Sequence, residues 1–377
     1  MDRRPSGRAA SAVPIRHSHP GRSGRPHRRQ SRDVPVTRAV LITGGGGVGK
    51  TTIAAAVGVG AARAGHRTLV LTVDPARRLA TALGLETLGN HPEPNPQLDG
   101  LFAAMLDSAA SWDAIAYRHA PVEVADRLVT NPLFEAVASR FPSGQGYAAS
   151  EEMAVHLESG EWDVVVVDTP PASGGIDFFA APSRMRELVG GRLLRWLTGA
   201  RLPGRRGLFN LAGRPALRLA DALLGGPLLE QVAEFLFDLR TTYDGITAKA
   251  AAIDRHFATA AIVVVTTADP GPLREALRFH EVGIEPELVV FNRSLPDDWA
   301  ATVDPLEDGR AAAALNENLA RWALEVGRQE DARADFSGQV GTPMATVPWL
   351  ADAPVDLDGL QAVLDGSEGL SLDALGV

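Results

Sequence analysis

The run Gly44-Gly45-Gly46-Gly47-Val48-Gly49-Lys50-Thr51-Thr52 fits the phosphate-loop pattern G-x-x-x-x-G-K-[ST], with Gly44 and Gly49 as the two fixed glycines. Its flanks have the character the pattern requires. Arg38-Ala-Val-Leu-Ile-Thr43 ahead of it is a short apolar run that reads as a buried strand. Residues 52–62 behind it are apolar all round, as in a core helix, and Gly65 is placed to end that helix. Strand, glycine loop and helix N-terminus together form an anion site, because backbone N–H groups and the helix dipole both favour negative charge there. Gly45, Gly46, Gly47, Val48, Gly49, Lys50, Thr51 and Thr52 are therefore the candidate phosphate-binding residues. Lys50 would reach the outer phosphates and the Thr51 hydroxyl would bind Mg²⁺. Lys50 and Lys249 are the only lysines, all other basic side chains apart from histidine being arginine. A lysine has thus been kept where a phosphate needs a slim point charge.

Working outward, Arg67-Thr-Leu-Val-Leu-Thr-Val-Asp74 reads as a second strand ending in an acid, and Pro75-Ala76-Arg77-Arg78 leads into a short helix through Ala82. The spacing suits a βαβ unit. Asp74 is either a ligand-facing acid at the carboxyl end of a strand or a plain N-cap before Pro75. Residues 101–107 form a further candidate strand, and 108–160 are mostly helical with breaks at Pro121, Pro132 and 142–146. Asp163-Val-Val-Val-Val-Asp168 has the β-branched run of a strand buried on both faces. Its terminal Asp168, followed by Thr169-Pro170-Pro171, makes the Walker B arrangement, in which the acid supports Mg²⁺. The second half returns to strands at 261–266 and 287–291, flanking a helix near 272–282. Phe291-Asn292-Arg293 ends the latter strand, where a side-chain amide can read a purine edge. A helix over 310–328 and a last strand and loop through Met344–Leu350 follow, and 366–377 read as a tail.

The composition is that of an ordinary globular chain of 377 residues, 45% hydrophobic and 22% charged. With no cysteine there is no disulfide, thiolate metal site or cysteine nucleophile. Residues 1–36 are rich in Arg, Pro, Ser, Gly and His and are expected to be a disordered basic tail, although the net charge of the chain is -9. A basic arm for nucleic acid or lipid is the other reading of that segment. No apolar run reaches membrane-spanning length and no signal-peptide core is visible, so a cytoplasmic location is expected. Residues 184–218 carry nine arginines against the single acid Glu187, interleaved with leucines, Trp196 and Phe209. That stretch is either a contact for anionic lipid or a hydrophobic cargo, or a pair of amphipathic helices with arginines in solvent.

Together these stations resemble the anion-transporting ATPase family, the deviant-Walker group that contains the arsenical-pump ATPase and the tail-anchored-protein targeting ATPase. The resemblance spans about residues 38–360. Gly44 to Thr52 is similar to that family's phosphate loop, Asp74-Pro75-Ala76 to its switch I, and Asp168-Thr169-Pro170-Pro171 to its switch II. Asn292 resembles the adenine-reading asparagine, and Val347-Pro348-Trp349-Leu350 the loop that packs on the base. The runs from Leu71 to Ala80 and from Phe178 to Arg184 are similar to the actinobacterial branch. The resemblance implies an α/β P-loop fold with a mostly parallel sheet, helices on both faces and helical insertions near 108–160 and 184–258 of a 37–365 domain. It also implies ATP and Mg²⁺ as ligands, Asp74 and Lys50 as catalytic residues, Thr51 and Asp168 at the metal, and action as a dimer. Two departures stand out. The family's signature lysine falls at the position of Gly45, so a slow or switch-like chain, an arginine substitute at Arg77 or Arg78, or a hetero-dimer with a lysine-bearing paralogue are all open. The arsenite site and the zinc clasp need cysteines that this chain lacks. A partition-type ATPase on membrane or DNA remains the third reading, though no specific nucleic acid is expected.

Overall fold

The computed structural model describes residues 37–73, 78–140, 144–170, 173–190, 226–300 and 309–377. Among these, eight strands form one sheet: β1 (Arg38–Gly44), β2 (Thr68–Thr72), β3 (Glu93–Pro94), β4 (Leu101–Met105), β5 (Val164–Asp168), β6 (Ala261–Thr266), β7 (Leu288–Ser294) and β8 (Met344–Pro348). Their order across the sheet is β3-β4-β2-β5-β1-β6-β7-β8. Every neighbouring pair is parallel except β3 with β4. Parallel pairing requires long crossovers, and the connections supply helices for both faces.

The helices between them are α1 (Lys50–Arg63), α2 (Arg78–Ala82), α3 (Ser108–His119), α4 (Val122–Val129), α5 (Pro132–Arg140), α6 (Gly144–Glu158) and α7 (Ser173–Gly190). They continue with α8 (Gly226–Thr241), α9 (Tyr243–Thr259), α10 (Pro270–Glu281), α11 (Arg310–Val340) and α12 (Leu357–Asp365). The expected α/β fold is thus observed, with a mostly parallel sheet between two helical layers. Strand residues alternate between the layers. Val40, Ile42, Val164, Val166, Val263 and Val265 join the core under α1 and α12. Leu41, Leu69, Leu71, Val165 and Val167 join the core under α3 to α9. Val264, Val289 and Phe291 pack against α10 and α11 around Phe279 and Phe336. A strand buried on both faces needs an apolar residue at every position, which explains the unbroken β-branched runs.

The layer of α3 to α9 is pinned by a buried charge cluster. Glu151 is fully buried, and its Oε1 accepts from Arg118 Nη1 at 2.5 Å and meets His119 Nε2 at 2.9 Å. Burial alone would push the Glu151 carboxyl up. Hydrogen bonds from His119, Arg118 and Tyr147 outweigh it and hold the group below the ordinary carboxylate range.

Two differences from the sequence expectations have physical causes. Residues 366–377, expected as a tail, are folded against the sheet: Thr346 and Glu368 form a bridge, and Leu370 and Leu375 are buried. The Arg38 guanidinium ties this end down, donating to Leu375 O at 2.8 Å and to Thr259 O at 3.0 Å. Helix α11 runs twelve residues past the expected end at 328, to Val340, where Gly341 closes it in a left-handed turn at φ 64°. Residues 1–36 and the part of 184–218 beyond Gly190 lie outside the described residues. Among the described residues no helix is long and apolar enough to cross a membrane.

Candidate nucleotide site

Strand β1 is central, with β5 on one side and β6 on the other. After β5 the chain crosses β1 to build β6, β7 and β8, so the order reverses there. In an open α/β sheet the crevice at the carboxyl ends of the strands at such a point is where ligands bind. The glycine loop leaves β1 at this point and runs directly into α1.

Two glycines of the loop are dictated by the geometry. Gly44 has φ 139° and lies so close to Val265 O of β6 that a Cβ would overlap it. Gly49, the N-cap of α1, has φ 100°, and a Cβ there would collide with Asn292 Nδ2. Around Gly46 and Gly47 a Cβ would meet nothing within 4 Å, which leaves an open cradle above the loop amides. Lys50 is 7% exposed and folds back on its own loop, Nζ donating to Gly45 O at 2.8 Å. That places a buried ammonium beside the cradle, as an anion site needs.

The two residues expected at the metal meet at the same point. Thr51 Oγ1 donates to Asp168 Oδ2 at 2.7 Å, joining the start of α1 to the end of β5 across 117 residues of sequence. A third group, which the sequence reading missed, completes this corner: Thr72 Oγ1, at the end of β2, donates to the same oxygen at 3.1 Å. Register explains it, since Thr72 and Asp168 are direct partners in the β2–β5 pairing. All donors here are hard oxygens, and among the described residues no cluster of three His, Asp or Glu side chains exists to hold a metal alone. One carboxylate plus a hydroxyl, with nucleotide phosphates filling the remaining positions, is the donor set that suits Mg²⁺.

On the far side, Asn292 reaches the loop itself. Its Nδ2 donates to Val48 O at 2.7 Å and its Oδ1 accepts from Arg293 N–H at 2.9 Å. A bulge causes this: the β7–β8 register shifts between Phe291 and Ser294, and Arg293 takes a left-handed φ of 61°. Pro348 lies opposite Ser294 at the end of β8, and Trp349 N–H donates to Ser294 O at 2.8 Å. The structure therefore brings Lys50, Thr51, Asp168 and Asn292 together around one loop, with Pro348 one strand further out. Thr52 is half-buried in the first turn of α1 and Val48 is buried. Asp74, Pro75, Ala76, Arg77 and Pro171 lie outside the described residues; Arg78 opens α2 and is exposed.

A model of the anion-transporting ATPase family matches residues 37–313. An uncharacterised protein of Streptomyces coelicolor is 32% identical over 272 residues, 70% of this chain and 64% of its own length. A protein named putative arsenical pump-driving ATPase, from Halobacterium salinarum, is 26% identical over 91% of this chain and 46% of its own. The ATPase GET3 of Rhodotorula glutinis is 25% identical over 50% of each chain. This chain thus spans less than two thirds of the length of each of these relatives. The matched span starts ahead of β1 and runs past β7, so it contains the whole loop, both ends of the Thr51–Asp168 pair, and Asn292. At the level of the family, the match supports ATP with Mg²⁺ as the ligands. By this match the chain belongs to the anion-transporting ATPase family.

Proposed function

We propose that this chain is a Mg²⁺-dependent ATPase that couples a cycle of ATP binding and hydrolysis to a partner or cargo not yet identified. The observation that carries this reading is the Thr51–Asp168 hydrogen bond beside a buried Lys50 at the sheet's switch point. Lys50 and the amides of Gly46 to Thr52 hold the phosphates. Thr51 and Asp168 hold the metal, which supplies charge neutralisation on the transferred phosphoryl group. Asp74 orients the attacking water. Asn292 exchanges its bond to Val48 O for the purine edge, and Pro348 covers the base. Catalysis is then positioning and electrostatic stabilisation.

One observation favours a second reading, a low-turnover nucleotide switch. Gly45 supplies no cation, and a cation delivered to a transferring phosphoryl group is worth on the order of 10³–10⁵ in rate. Within the ATPase reading, a dimer with a lysine-bearing paralogue restores that charge, and the 184–218 stretch is the candidate contact for membrane or hydrophobic cargo. Action in the cytoplasm belongs to the same proposal. The test is the hydrolysis rate of the purified chain alone and with its closest paralogue from the same genome. Slow turnover accelerated by the paralogue supports the hetero-dimer. Slow turnover with no acceleration supports the switch.

A further inference from the structure

Gly45 is not an empty position. The side chain of Glu275, from the second turn of α10, lies where a Cβ on Gly45 would go, and its Oε2 would overlap that atom. Helix α10 buries Ala276 and Phe279 in the core it shares with β6 and β7. Those two residues fix the phase of the helix, and Glu275 comes out beside them, over the start of the loop. Among the described residues Glu275 makes no hydrogen bond or ion pair. Gly45 O, on the same residue, is where Lys50 Nζ docks. A carboxylate with no ion-pair partner among the described residues therefore stands beside a cradle suited to an anion.

We propose that Glu275 is a selectivity residue of the phosphate loop: its charge disfavours metal-free nucleotide and makes tight binding conditional on a divalent cation bound to the triphosphate. This deepens the proposed function and rests on it. The physical basis is charge balance. A divalent cation removes two negative charges from the triphosphate it binds, so a nearby carboxylate repels the free anion more than the complex. The glycine at position 45 is part of the device, because any side chain there would expel the carboxylate. Its backbone lies outside the left-handed region, so the position itself tolerates alanine.

The experiment is equilibrium binding of ATP to the full chain, once in EDTA and once in excess MgCl₂, for wild type, Glu275→Gln and Gly45→Ala. Glu275→Gln removes the charge and keeps the shape. Gly45→Ala keeps the charge and displaces it. Glu275→Gln is expected to tighten metal-free ATP binding by roughly fivefold to tenfold and to change binding of the Mg²⁺ complex by less than about twofold. Gly45→Ala, which lies in the loop itself, is expected to shift the ratio of the two affinities in the same direction, toward metal-free ATP. Unchanged or weaker metal-free binding in Glu275→Gln overturns the proposal, as does an equal gain for both forms of ATP. In those cases wild type still binds ATP with Mg²⁺, and the proposed function stands. A wild-type chain that binds neither form overturns the proposed function, and this inference with it.

Discussion

In the proposed function Asp168 serves both the ligand-free fold and the metal, and two substitutions separate these roles. Its carboxylate is 1% exposed and accepts hydrogen bonds from Thr51 at 2.7 Å and Thr72 at 3.1 Å. Asp168→Ala removes the one oxygen that accepts both bonds. Hydrogen bonds to a charged group contribute about 1.5–3 kcal/mol each, and the Thr51 hydroxyl is only partly buried, so the ligand-free chain should lose about 2–4 kcal/mol. Asp168→Asn keeps an oxygen for both hydroxyls and removes a buried charge, so its ligand-free stability should lie within about 1 kcal/mol of wild type. The metal role reads out differently. Wild type should gain about 2.7 kcal/mol from nucleotide at a hundred times its dissociation constant, with most of that gain requiring Mg²⁺. In Asp168→Asn the gain should be the same with MgCl₂ and with EDTA. Urea unfolding followed by circular dichroism measures all of these. An Mg²⁺-dependent gain of wild-type size in Asp168→Asn would refute the placement of the metal. Greater loss from asparagine than from alanine would refute the hydrogen-bond reasoning.

Asp74→Asn should keep ATP affinity within about threefold and abolish turnover, since the amide no longer accepts the water's proton while the phosphate contacts remain; single-turnover phosphate release checks this. Gly49→Ala should weaken ATP binding severely, because the left-handed φ and the overlap with Asn292 both oppose a Cβ; titration with a fluorescent ATP analogue checks it. The Glu151 carboxyl titrates below its ordinary value of 4.5 in the folded chain, so its stabilising contribution is complete above that pH and is lost as pH falls through the folded value. Glu151→Gln should therefore cost roughly 2–4 kcal/mol at neutral pH and flatten the acid limb below about pH 4.5, as seen in urea unfolding across pH.

The sheet was legible wherever strands are buried on both faces. Residues 164–167 are four valines in a row, and 261–266 matched to the residue, because a parallel central strand tolerates no polar interruption. The two-residue strand β3 is exposed and antiparallel at the sheet edge, and it carries no apolar pattern. The C-terminal segment was missed because Leu370, Leu372 and Leu375 are scattered among glycines, serines and acids, and their burial depends on α1 and α12 being in place. The last turns of α11 escaped because 329–340 present almost only polar residues, with Phe336 the one fully buried anchor. At the site, the loop and Asp168 were readable from a local pattern. Thr72 and Glu275 were not, since a register partner and a neighbouring helix brought them in from far along the chain.

The most direct measurement is phosphate release from ATP by the purified full-length chain, in MgCl₂ and in EDTA, beside Lys50→Ala. An ATPase using this loop releases phosphate only with Mg²⁺, and Lys50→Ala, which removes the buried ammonium at the cradle, abolishes the release. Release that persists in Lys50→Ala, or that ignores EDTA, would contradict the assignment of the site.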